Sequence, residues 1–253
     1  MEHISFTDGI SINICMLIHE VIQSNINEGP NDPQIFKAIF LAGGPGSGKS
    51  YVARTLLGGS QYGLKMINSD DIYEYLAKKA EPELDLKDPD QVYSDRGQEI
   101  RNRAKAVTMS KEASHLDGRL GVIIDGTGKD PEKVKKQSDN LKSLGYDTMM
   151  LFVNTNEDVA QERNKKRARQ LPSEVVSKMW AQVQSNIMKF QQIFGAGNFH
   201  VIDNSGGLED PERKENFDNV EKAIRAFANQ APSSRIAKDW LADQQQSRAK
   251  SDK

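Results

Sequence analysis

Five short apolar runs punctuate an otherwise charged chain: residues 36–42, 64–67, 121–125, 148–153 and 199–203. Runs of that length bounded by turn residues predict buried strands. Helical patterns separate them. Residues 51–57 read as a helix stopped by Gly58 and Gly59, and residues 72–80 as a second, with Asp70 or Ser69 as its N-cap. Residues 91–116 predict one long helix or two, and residues 131–144 a helix with Pro131 in its first turn and Gly145 after its end. Residues 156–169 form a helical pattern whose second half is basic. A Ser173-capped helix is expected to run to about residue 194, and a last one covers 217–229. Strands alternating with helices predict an α/β fold of three layers, a five-stranded parallel sheet with helices on both faces.

Outside that alternation the pattern changes twice. Ile14, Leu17, Ile18, Val21 and Ile22 recur at helical spacing, and the Gly- and Pro-containing residues 27–33 read as a linker. After Gln230 the chain is polar except at Trp240 and Leu241, which predicts a mobile or docking tail. The expected division is a helical extension over 1–33, one domain over 34–230 and a tail over 231–253.

Composition narrows the classes. A chain of 253 residues buries a core without staples, and a formal net charge of −2 gives no global field for nucleic acid or membrane. Any basic site must be local. Cys15 is the only cysteine, so no intrachain disulfide forms and a reducing compartment is expected. His3, His19, His115 and His200 are scattered, without zinc-ligand spacing. The apolar stretch near residues 10–22 is too short to span a bilayer and lacks a basic flank. A soluble, cytoplasmic protein with no membrane contact is expected.

The chemistry converges on the strand ends. Gly43, Gly44, Pro45, Gly46, Ser47, Gly48, Lys49 and Ser50 follow the first strand and open a helix, with the spacing of a P-loop. Glycines let main-chain N–H groups wrap phosphate oxygens, and the helix end adds its own. Lys49 is expected to reach the β- and γ-phosphates of ATP, Ser50 to ligate Mg²⁺, and Tyr51 to border the nucleotide. Asp125 ends the third strand, where a carboxylate holds Mg²⁺ directly or through water. Asp70 follows the second strand on the acceptor side, placed to take a hydroxyl proton, with Asp71 as the competing choice. Arg163 and Arg167 lie four residues apart on one helical face, suited to a lid that stabilises a phosphoryl transition state.

In this order the motifs resemble a family, the 5′-hydroxyl polynucleotide kinase domain of bacteriophages with the related zeta-toxin kinases. The resemblance covers about residues 38–203. It rests on Gly44 to Ser50, on Asn68-Ser69-Asp70-Asp71, on Asp125 and Thr127, and on Arg163-Asn164-Lys165-Lys166-Arg167 followed by Pro172. It implies a P-loop NTPase fold with an Arg-rich helical lid, Asp70 as general base, and a phage-type protein acting in host cytoplasm. In the polynucleotide kinases an arginine three residues after the base grips the acceptor phosphate, and Tyr73 takes that place here.

The expected activity is transfer of the γ-phosphate of ATP to a hydroxyl of a nucleic-acid end, a nucleotide or a nucleotide sugar. Two rivals stand beside it. One is a nucleoside monophosphate or small-molecule kinase, which has no need of Asp70 as a base. The other is a non-catalytic ATP-binding switch or assembly protein working through its terminal segments.

Overall fold

A computed structural model describes Asp32 and residues 34–58, 63–80, 82–86, 88–167 and 170–251. The N-terminal amphipathic helix expected at Ile14–Ile22 and Cys15 lie outside these residues.

Five parallel strands form one sheet: β1 (Lys37–Ala42), β2 (Lys65–Ile67), β3 (Val122–Asp125), β4 (Asp147–Asn154) and β5 (Phe199–Asp203), in the order β2-β3-β1-β4-β5. β1 is central and buried along its whole length, because each of its faces meets a helical layer. Alternation along β1 sends Ala38, Phe40 and Ala42 to one side, against Leu141, Phe190 and Phe194. Ile39 and Leu41 go to the other, against Val52, Leu56, Val220 and Ile224.

The helices are α1 (Lys49–Val52), continued by a π-helical turn over Ala53–Leu57, then α2 (Ser69–Lys79), α3 (Pro89–Tyr93) and α4 (Asp95–Asp117). After β3 come α5 (Pro131–Ser143), α6 (Glu157–Lys165), α7 (Ser173–Gln184), α8 (Ile187–Phe194), α9 (Pro211–Asn229) and α10 (Arg235–Ser251). The open alternative at residues 91–116 resolves as two helices, split where the Ser94 hydroxyl accepts from the Gly97 N–H at 3.0 Å. No helix among the described residues is long and apolar enough to cross a membrane.

Four details differ from expectation. Asn68, not Asp70 or Ser69, caps α2: its side-chain oxygen accepts from the Asp70 N–H at 2.8 Å. The helix after Pro172 is broken at Ser185 and Asn186 rather than continuous to Phe194, and Ser173 is its first residue rather than its cap. The last helix of the domain starts at Pro211, six residues before expectation, because Asp210 caps it through the N–H groups of Glu212 and Arg213. Residues 235–251, expected as a mobile or docking tail, form α10, with Ala237 buried and Trp240 set edge-on to Phe36 at 5.5 Å.

Candidate nucleotide and phosphoryl-transfer site

The loop between β1 and α1 is shaped by what its glycines leave out. Gly46 has φ 75°, and a Cβ there would meet the Ala160 carbonyl oxygen at 2.3 Å, so only glycine lets the loop lie against α6. Gly48 has φ 86°, and a Cβ would fall 2.2 Å from the Asn204 amide nitrogen. The loop is thus gripped from outside by α6 and by the segment after β5.

Lys49 folds over the loop, its Nζ donating to the Gly43 carbonyl at 3.2 Å. Burial holds its pKa below the usual lysine range; the charge of Arg167 pushes the same way, while Asp125 and Asp70 oppose. Asp70, Asp125 and Arg167, from distant parts of the chain, thus all lie near enough to Lys49 for their charges to act on it. Asp125 shows the mirror image. Burial lifts its carboxyl above the usual range, Lys49 opposes, and Asp70 and Asp71 add to the rise.

Asn68 links two strand ends. Its oxygen caps α2, and its amide nitrogen donates to Asp125 Oδ2 at 3.2 Å. Asp70 and Asp71 are exposed in the first turn of α2, a favourable place for anions at a helix N-terminus. Ser50 is exposed at the start of α1. Asp125 Oδ1 is buried with no hydrogen-bond partner among the described residues. No group of three or more His, Cys, Asp or Glu side chains among those residues is placed to hold a metal ion by itself. An orphaned carboxylate oxygen at the strand end beside the P-loop strand fits Mg²⁺, which is held by few protein ligands plus phosphates and water. Asp125 and Ser50 are the residues that would hold it.

The lid arginines separate. Arg163 is half-buried and donates from Nη1 to the Ser47 carbonyl at 3.4 Å; burial and then the charge of Arg213 hold its pKa below the usual arginine range. Arg167 is exposed and acts on Lys49 only through its charge. Asn164, 3 % exposed, closes the turn after α6 by exchanging hydrogen bonds with Leu171, at 2.8 Å to its carbonyl and 3.1 Å from its N–H. Trp180 Nε1 donates to the Thr155 carbonyl at 2.8 Å, fixing α7 over the end of β4.

Tyr51 turns from the loop toward α9. Its ring lies 6.3 Å from Phe217, and the Arg213 guanidinium sits 5.3 Å from its centroid. Tyr73 is 3 % exposed, and the Arg101 guanidinium stacks 4.5 Å above its ring. Beyond Asp125 a cavity of about 660 Å³ opens between the end of β3, α4 and α5. Ser69, Thr108 and Asp125 line it together with Lys129, Lys133 and Lys136.

Sequence reasoning missed Asn204 and Arg213. Asn204, 3 % exposed, donates from its amide to the Ser47 carbonyl at 2.7 Å and accepts from Arg213 Nε at 3.2 Å and Nη2 at 3.0 Å. Neither stands in a motif, and Asn204 lies 157 residues from the loop it holds.

A family model described as Zeta toxin matches residues 23–216. No curated protein sequence matches the chain. Among solved structures, one from the PezAT chromosomal toxin–antitoxin system of the human pathogen Streptococcus pneumoniae is similar, with TM-score 0.56 and 18 % identity, covering 90 % of this chain and 100 % of that one. A structure of AvrRxo1-ORF1:-ORF2 with ATP is similar at TM-score 0.51 and 12 % identity, covering 90 % of this chain and 88 % of that one. At these identities the likeness is one of fold.

Proposed function

The chain belongs to the Zeta toxin family, and on that premise we propose that it is an ATP-dependent phosphotransferase acting on a hydroxyl. The observation that carries this is the convergence at the C-terminal edge of the sheet of the phosphate loop, the buried and unpartnered Asp125 Oδ1, and the acid-bearing first turn of α2, joined to Asp125 through Asn68. That is where open α/β sheets bind ligands.

In this reading the loop N–H groups and Lys49 bind the polyphosphate. Asp125 and Ser50 would hold Mg²⁺, which when bound would offset the charge of the phosphates. Asp70, exposed on the acceptor side, takes the proton of the incoming hydroxyl as its oxygen bonds to the γ-phosphorus. The bond from that phosphorus to the β–γ bridging oxygen breaks, and ADP leaves. Arg163 and Arg167 stabilise the charge spread over the equatorial oxygens. Lys129, Lys133 and Lys136 line the cavity beyond Asp125 together with Glu112 and Asp130, a mixed-charge wall suited to a polar acceptor: a nucleic-acid end, a nucleotide or a nucleotide sugar.

The test is transfer from γ-labelled ATP into 5′-hydroxyl oligonucleotides, nucleosides, nucleoside monophosphates and nucleotide sugars, with Lys49→Ala and Asp70→Asn beside the wild type. The expected result is label in one acceptor class, reduced by roughly three orders of magnitude or more in both variants, with nucleotide binding retained in Asp70→Asn. Tight ATP binding without transfer to any acceptor, and hydrolysis indifferent to Asp70, would establish a nucleotide switch instead.

A further inference from the structure

Arg213 is 8 % exposed, and among the described residues no carboxylate pairs with it. Its guanidinium stacks 4.4 Å from the Phe217 ring and 5.3 Å from that of Tyr51, whose hydroxyl is also a hydrogen-bond partner, and its Nε and Nη2 both donate to Asn204 Oδ1. A buried cation left without an anion is costly, so its position calls for a physical reason.

The hydrogen-bond chain supplies one. Arginine only donates, so Asn204 must turn its oxygen toward Arg213 and its NH₂ toward the Ser47 carbonyl. A planar trans peptide carries its C=O and the following N–H in opposite directions. Holding the Ser47 carbonyl against Asn204 therefore turns the Gly48 N–H to the opposite face of the loop. The amide occupies the space a Gly48 side chain would need, which ties the glycine and the brace together. The Arg213 charge, desolvated behind the loop, adds positive potential where polyphosphate binds.

We propose that Asn204 and Arg213 are positioning residues for nucleotide binding: a brace behind the phosphate loop that orients the Ser47–Gly48 peptide and sets the affinity for the nucleotide's phosphates. This rests on the nucleotide-binding part of the function proposed above.

The decisive variant is Asn204→Asp. It keeps the side-chain shape and gives Arg213 a carboxylate, but it has no N–H for the Ser47 carbonyl. A purely structural network predicts a protein at least as stable as wild type with unchanged nucleotide affinity. The brace predicts about tenfold weaker ADP binding or more in the presence of Mg²⁺, with the nucleotide-free melting temperature held or raised. Arg213→Met, which keeps bulk and frees the Asn204 amide, is expected to weaken ADP binding similarly, and the double variant to be no weaker than the weaker single one. Titration calorimetry with ADP and melting without it give both readouts. ADP affinity within twofold of wild type in Asn204→Asp and Arg213→Met overturns the brace and leaves the kinase reading standing. A wild type that does not bind ADP overturns both.

Discussion

At the scale of single residues, the carboxyl of Asp125 has the most consequences. An acid at the end of an apolar strand is desolvated by the sheet that positions it, and burial is the largest cause of its raised pKa. A carboxyl whose native pKa lies above its unfolded value contributes stability that is fully present below the unfolded value. That contribution is lost as pH rises through the native one. Ionising Asp125 in the metal-free protein therefore costs stability. Asp125→Asn removes that charge and still offers an oxygen to Asn68. Without metal or nucleotide, this variant is expected to melt higher than wild type at pH 7, with the gap closing as pH falls toward about 4, the ordinary carboxylate range. Mg²⁺-dependent nucleotide binding is expected to weaken in the same variant. A lower melting point for Asp125→Asn at pH 7 would show that the carboxylate is satisfied within the protein and is not held ready for a cation.

At the scale of elements, the lid depends on a turn that one side chain closes. Asn164 supplies both a donor and an acceptor to Leu171, so Asn164→Ala leaves a main-chain carbonyl and N–H without their partners. The expected loss is about 1–3 kcal/mol in urea unfolding, with faster proteolysis between residues 165 and 172. An unchanged midpoint and cleavage pattern would mean that the turn is held by packing alone. The strands were legible in the sequence because apolar runs between turn residues admit little else: all five strands appear where the pattern puts them, to within one or two residues. The P-loop was legible because its chemistry is local. The break at Ser185 and Asn186 was not, because residues 173–194 carry no Gly or Pro between Ser173 and Phe194. What splits α7 from α8 is the Asn186 amide donating to the carbonyls of Gly128 at 3.0 Å and Lys129 at 3.1 Å, a contact 58 residues distant for the first. The Asn204–Arg213 brace escaped for the same reason: amide and guanidinium groups declare no partner until the fold brings one.

At the scale of the whole molecule, the two ends of the sheet do different work. The C-terminal edge holds the loop, the acids and the lid. The N-terminal edge is closed by α10, whose polar sequence hides a short anchor. Phe36 is fully buried with φ 61°, a left-handed conformation that a bulky side chain adopts only when its surroundings enforce it. Those surroundings are Tyr146 and Trp240, each edge-on at 5.5 Å, and Gly145, whose added Cβ would lie 3.1 Å from the Ala237 N–H nitrogen. Beside them Lys37, 1 % exposed, pairs with Asp147 at 2.7 Å. Burial pushes Asp147 up, but bonds from Lys37 and from Ser233, which leads into α10, hold its carboxyl below the usual range. Trp240→Ala removes the aromatic anchor of α10 far from any group that meets phosphate. It is expected to lower stability by roughly 2 kcal/mol, less than for a fully buried tryptophan, and so to lower the melting temperature by about 4–8 °C. ADP affinity at a temperature well below that melt is expected to stay within twofold of wild type. If affinity falls together with stability, the two edges of the sheet are coupled through β1, and α10 belongs to the machinery of the site rather than to its foundation.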